Sequence, residues 1–108
     1  MYRYKIEVLR VVDGDTLDVR VDLGFRVFTV QRIRLAGIDA WEKRGAERDK
    51  GRAAMRALIA KLQAGAPLTL ASEKTGKFGR WIGTIESAGG ENINDWLVSN
   101  GHAITRDY

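Results

Sequence analysis

The sequence predicts a mainly β chain of the α+β class: five strands forming a small, partly open barrel, a helix between the third and fourth, and a short helix near the C-terminus. Two observations carry this expectation. In separate runs within the first 35 residues apolar side chains recur at every second position, the period of strands with one buried face. The period then changes, because Met55, Leu58, Ile59 and Leu62 fall at i, i+3, i+4 and i+7, one apolar stripe of a helix.

Taken in order, Tyr4, Ile6 and Val8 alternate with Lys5, Glu7 and Leu9 before the chain reaches Asp13-Gly14-Asp15, a tight-turn signal. Leu17, Val19 and Val21 alternate with Asp18, Arg20 and Asp22 in a second strand, and Asp22-Leu23-Gly24 turns the chain again. Phe25 to Leu35 reads as a long third strand with Arg32 and Arg34 on the face opposite Ile33 and Leu35. The helix begins at about Glu47 and stops at Gly65. On it Arg52, Arg56 and Lys61 lie off the apolar stripe and read as a solvated face. Pro67 to Ala71 and Gly79 to Ile85 read as two further strands. Asn92 is placed to cap a last helix whose apolar face is Ile93, Trp96 and Leu97, and Gly101 ends it. Five short strands with a helix between the third and fourth suit the partly open Greek-key barrel called the OB-fold, which often binds oligonucleotides. A small α+β sheet packed on one side is the competing architecture.

Length and composition narrow the function. At 108 residues the chain is expected to be one domain, 1–108. No apolar run approaches the roughly 20 residues of a membrane span. The first residues alternate as a strand and do not read as a secretory leader. The expectation is a soluble, cytoplasmic protein without a membrane partner. There is no cysteine and a single histidine, His102, which excludes disulfides, thiolate sites and multi-histidine zinc sites. His102, just after the glycine that ends a helix, reads as a cap or surface residue. Chemistry is left to carboxylates, guanidinium groups and a hard metal ion. The formal charge of +4 favours polyanionic partners.

Three clusters of charge sit at strand ends: Asp13-Gly14-Asp15-Thr16; Arg34 with Asp39 and Glu42; and Lys77-Phe78-Gly79-Arg80. Singly, each has an ordinary explanation as a turn or a solvated edge. Together and in this order, with Arg34-Leu35-Ala36-Gly37-Ile38-Asp39-Ala40-Trp41-Glu42 in the middle, they resemble the staphylococcal nuclease (thermonuclease-like) family. Its signature is a D-G-D-T turn, an R-L-x-x-x-D-x-x-E stretch and a K-Y-G-R turn. The similarity runs from the first strand to Gly101, and the family's barrel with inserted helices matches the order of elements above.

The resemblance implies that Asp15 and Asp39 bind calcium together with the backbone carbonyl of Ala40, that Arg34 and Arg80 clamp a phosphate, and that Glu42 acts on the water, as base or as positioner. Two carboxylates, a carbonyl, solvent and the phosphate itself make an oxygen set of the kind calcium accepts. Paired guanidinium groups add bidentate hydrogen bonds as charge builds at phosphorus. Asp13 is a turn former, a carboxylate behind the metal, or both. Lys77 either touches a phosphate or is only solvated. Phe78 and Tyr108 are candidates to stack on a base or sugar, against the commoner role of an aromatic as core, and Trp41 and Trp81 carry the same two readings.

The chain departs from the family pattern in two places. Ala40-Trp41 stands where the family has threonine and proline, so the loop lacks proline's rigidity. The sequence also stops at Tyr108, where the family continues into a third helix. The expectation is a homodimer or a weakly stable monomer. The implied activity is calcium-dependent hydrolysis of DNA and RNA with little sequence preference, single strands favoured, at the 5′ P–O bond with 3′-phosphate ends left. A non-catalytic nucleic-acid-binding module is the alternative, and a protein or oligosaccharide adaptor a third.

Overall fold

The structure, a computed structural model, describes residues 2–62, 67–75 and 81–106, with the backbone alone at 74 and 75. Strand β1 (Tyr2–Asp13) turns through Gly14 and Asp15 into β2 (Thr16–Asp22). Strand β3 (Phe28–Leu35) follows, then a three-residue β4 (Ile38–Ala40). A single 3₁₀ turn (Gly45–Glu47) opens helix α1 (Arg48–Leu62). Strands β5 (Leu68–Thr75) and β6 (Trp81–Ser87), helix α2 (Ile93–Ser99) and β7 (Ala103–Thr105) complete the order. The strands close into a barrel in the order β1-β2-β3-β6-β5, and β4 pairs with β7 in a small second sheet. Among the described residues only the β3–β6 seam is parallel, over Ile33 to Leu35 against Trp81 to Gly83. A closed barrel of this order, five strands with a helix between the third and fourth main ones, is the expected OB-type architecture.

Alternation decides which residues fill it. Leu17, Val19 and Val21 from β2, Ile33 and Leu35 from β3, Leu70 from β5 and Ile85 from β6 are wholly inside. Burying each such side chain contributes about 1.5–3 kcal/mol. Helix α1 lays Leu58 against this core, with Met55, Ile59 and Leu62 packed beside it, the stripe read from the sequence. Gly51 and Ala54 share its buried face. Helix α2 buries Ile93 and Leu97. Its cap is as expected: the Asn92 side chain accepts from the Asp95 N–H at 3.0 Å, and Gly101, at φ 77°, lies just past the end.

Three expectations need correction. The third strand starts at Phe28, not Phe25, because Gly24, Phe25 and Arg26 have φ of 83°, 53° and 60°, a left-handed run that cannot be extended. The turn is closed by bonds of 2.9 Å from Val27 N to Gly24 O and from Leu23 N to Val27 O. Strands β4 and β7 were not expected, since three residues carry too little alternation to be read. Lys61 is no mere solvated cation: it pairs with Glu91 at 2.6 Å and lies 4.8 Å from the Trp96 ring. The expected stop at Gly65 lies outside the described residues.

Candidate active site

The site begins with strand register. Across β1 and β2, Asp13 pairs with Thr16, leaving Gly14 and Asp15 as a two-residue turn. Across β2 and β3, Thr16 pairs with Arg34, and the Asp15 carbonyl accepts the Leu35 N–H at 2.9 Å. The first two charged motifs are therefore neighbours because the barrel's register makes them so. After Leu35 the chain is held by Gly83 O, which accepts from the Ala36 N–H at 2.8 Å. The buried Asn94 amide donates to Ala36 O at 3.0 Å and Gly83 O at 3.2 Å and accepts from Ile85 N. This clamp turns the chain into β4, which carries Asp39 back beside Arg34.

Three side chains then converge. Arg34 Nη1 lies 3.2 Å from Asp15 Oδ2, and Arg34 Nη2 donates to Asp39 Oδ1. Asp15 Oδ2 also accepts the Ala40 N–H at 2.9 Å, and its Oδ1 accepts from Thr16 Oγ1 at 3.0 Å. Arg106, just past β7, donates to Asp39 Oδ2. Side-chain exposure is 15% for Arg34, 14% for Asp15 and 26% for Asp39, against 58% for Arg106. The inner three are thus shielded enough that their mutual attraction is only partly screened.

The segment after Ala40 is bound to the helix by close approach. A Cβ on Gly51 would stand 2.0 Å from the Glu42 carbonyl oxygen, and one on Gly14 would stand 2.9 Å from the Ala40 Cβ and 3.0 Å from that of Ala54. Only glycine permits either contact. The Trp41 indole N–H donates to Gly101 O at 2.9 Å and its ring carries Lys50 Nζ at 4.8 Å. These contacts fasten a loop that lacks proline. Lys43 donates to Val12 O at 2.9 Å and lies 3.3 Å from Asp13, so Asp13 faces the loop's lysine from the turn. The Glu42 side chain is exposed.

Of the residues singled out from the sequence, Asp15, Arg34, Asp39 and Ala40 are brought together, with Glu42 two residues beyond Ala40. Lys77, Phe78, Arg80 and Tyr108 lie outside the described residues. Trp81 is half-buried and packs on the core, and His102 lies against Trp96 with ring centroids 5.9 Å apart. Sequence reasoning missed Arg106, Asn94, Trp41 as a loop anchor, and Gly51. Asn94 left one trace, a polar residue inside the apolar run of a helix; Arg106 left none.

The oxygen-only donor set suits a hard divalent cation. Asp15 and Asp39 meet on one guanidinium, and the Ala40 carbonyl belongs to the same segment. Among the described residues no group of three or more carboxylates or histidines gathers as a ready cage.

A closed OB-type barrel with acid and arginine side chains gathered where β1, β3 and β4 meet defines a class of small barrel proteins with a polar site at one end. The chain belongs to the staphylococcal nuclease family: the model described as staphylococcal nuclease homologue matches residues 32–108, taking in Arg34, Asp39 and Glu42. It is 32% identical over 104 residues to succinoglycan biosynthesis protein ExoI of Rhizobium meliloti, covering 90% of this chain and 50% of that protein. It is 36% identical over 96 residues to an uncharacterized endonuclease of Escherichia coli, covering 89% and 57%. With endonuclease YhcR of Bacillus subtilis the identity is 33% over 112 residues, covering 94% of this chain and 9% of that one. The chain spans about half the length of the first two of these relatives.

Proposed function

We propose that this chain is a calcium-dependent phosphodiesterase that cuts DNA and RNA internally with little sequence preference, favouring single strands and leaving 3′-phosphate ends. The observation that carries the reading is the convergence of Asp15, Arg34 and Asp39 from three separate segments, closed by the Ala40 amide. Two relatives are named as endonucleases, which supports the class of reaction. Arg34 binds a nonbridging phosphate oxygen and gains strength as charge builds at phosphorus. Asp15 and Asp39 keep that guanidinium oriented, and with the Ala40 carbonyl they would hold calcium. Calcium, when bound there, would supply Lewis-acid withdrawal of charge from the phosphate. Glu42, exposed on the loop pinned by Gly51, takes a proton from the attacking water or holds it in line. Arg80 is proposed as the second phosphate clamp, with Lys77, Phe78 and Tyr108 as further contacts to the substrate. Contacts of this kind address phosphate and do not read bases, which supports weak sequence preference.

The test is hydrolysis of end-labelled single-stranded DNA with calcium and with excess chelator. Full turnover in chelator would defeat the metal requirement. One observation favours a second reading, a non-catalytic nucleic-acid-binding module: both Asp39 oxygens already receive guanidinium groups, from Arg34 and Arg106. Strand binding without any hydrolysis at saturating calcium would select it.

A further inference from the structure

The outward face of β3 carries Phe28, Val30, Arg32 and Arg34 at successive alternate positions, and β2 sets Asp22, Arg20, Asp18 and Thr16 opposite them. One end of this row is the guanidinium of the candidate site. The other end leads into the β2–β3 turn, where Phe25 is 99% exposed at φ 53°. An aromatic side chain in the left-handed region is disfavoured, and a ring that fully exposed gains nothing from packing. The backbone there serves the turn that closes β2 onto β3, but the ring itself packs on nothing, and a fully exposed aromatic with no part in the fold points to a binding role. Val27, Phe28 and Val30 beside it are also exposed. Apolar and cationic groups are interleaved: the Arg20 guanidinium lies 4.6 Å from the Phe28 ring centroid, and Arg26 adjoins Phe25. Arg20 and Arg32 are paired to Glu7 and Asp18 at 2.8 Å, with side-chain exposures of 47% and 52%. The single-bonded Arg20–Glu7 pair is exposed on both sides and worth little, so Arg20 can turn to a phosphate. Arg32 is held by Asp18 through two bonds, at 2.8 and 3.2 Å, and meets a phosphate with its remaining N–H groups.

We propose that this face is a track for single-stranded nucleic acid, in which Phe25 stacks on a base and Arg20 and Arg32 bind phosphates of the strand continuing from Arg34. It extends the nuclease reading above and rests on that reading for the direction of the strand. From Arg34 to Phe28 the track covers seven residues of β3, six steps of ~3.3 Å or about 20 Å, a length spanned by several nucleotides. Rings with guanidinium neighbours grip any base by its π-face, whereas duplex bases present none. The mixture of exposed rings with cations, in line with the phosphate-binding arginine, favours a polyanion over a second apolar surface.

The test is fluorescence anisotropy in chelator with labelled single strands of about 3 and about 12 nucleotides, the longer within the range one OB barrel covers. Kinetics on the short strand with calcium accompany it. Phe25→Asn is the variant, since asparagine tolerates the left-handed region and the ring touches no core. The expected result is roughly tenfold weaker binding of the long strand, the scale of one lost stacking contact. Binding and turnover of the short strand should be unchanged, and Phe25→Trp should restore the long strand's affinity. Wild-type binding of the long strand by Phe25→Asn would overturn the track. So would a dimer in sedimentation that Phe25→Asn abolishes while strand binding stays the same, which would give the face to a second copy. A wild type that hydrolyses nothing, yet loses long-strand affinity with Phe25→Asn, would sink the nuclease reading and support the track.

Discussion

The Ala40 N–H donates to Asp15 Oδ2 at 2.9 Å across 25 residues of chain. That bond joins the β1–β2 turn to the segment bearing Asp39 and Glu42, and so ties together two motifs that the sequence keeps apart. Ala40→Pro removes the donor, and a group left half-satisfied costs about 1–3 kcal/mol. Urea unfolding should show a loss of that size and, on the proposed calcium site, titration calorimetry should show weaker calcium binding. Ala40→Thr keeps the N–H and should do neither.

Gly51 touches the Glu42 carbonyl so closely that any side chain must move the loop. Gly51→Ala should destabilise by about 1–3 kcal/mol, the usual scale of overpacking, although alanine is the better helix former. On the proposed mechanism turnover should fall as well, because Glu42 rides on the displaced backbone. A variant as stable and active as the wild type would show that the contact is slack.

Glu42→Gln should lower turnover by about 100-fold, the low end for loss of a general base, with nucleic-acid affinity little changed. The exposed carboxylate supports no packing, so stability should hold. Wild-type cleavage by this variant would remove Glu42 from the mechanism.

Arg106 donates to the Asp39 oxygen that Arg34 leaves, and a cation ligated there must displace it. On the proposed calcium site, Arg106→Ala should therefore tighten calcium binding by about fivefold, equivalent to ~1 kcal/mol for an exposed ion pair. Calorimetric titration reads this without any substrate. Weaker binding in the variant would mean that Arg106 supports the site and does not compete for it.

Asp18 is held below the usual carboxylate range, chiefly by the hydrogen bond from Arg32, against a smaller opposing effect of burial and with help from the Arg32 and Arg10 charges. A depressed carboxylate contributes stability that is fully present above its unfolded value of about 3.9 and is lost as pH falls through the folded value. The stability gap between wild type and Asp18→Asn should thus be constant near neutral pH and shrink below about pH 3.9. Because Arg32 faces solvent, added salt should narrow the gap wherever Asp18 is ionised. Urea midpoints at pH 7 and pH 3 would check the sign.

The sequence by itself determined the barrel strands, both helices and the candidate residues, because these follow from local rules. Alternation places Leu17, Val19 and Val21 inward, the i, i+3, i+4, i+7 stripe places Leu58 on the core, and Asn92 caps α2 through a side chain three residues from its donor. Of the charged clusters, the Asp13–Thr16 turn and the Arg34–Glu42 stretch were legible and meet at Arg34, while Lys77 to Arg80 lie outside the described residues; the family follows from the motifs together. Tertiary structure alone decided what gathers around them. Arg106 reaches Asp39 across 67 residues, Trp41 bonds Gly101 across 60, and Asn94 clamps the Ala36 turn across 58. No periodicity encodes such pairs, since each depends on barrel closure bringing distant segments within the ~3 Å reach of a hydrogen bond. The third strand shows the same division. Its apolar residues continue back to Phe25 and read as strand, but three successive positive φ angles end the extension at Phe28. Backbone conformation there is set by the turn that closes β2 onto β3, and composition alone does not specify it.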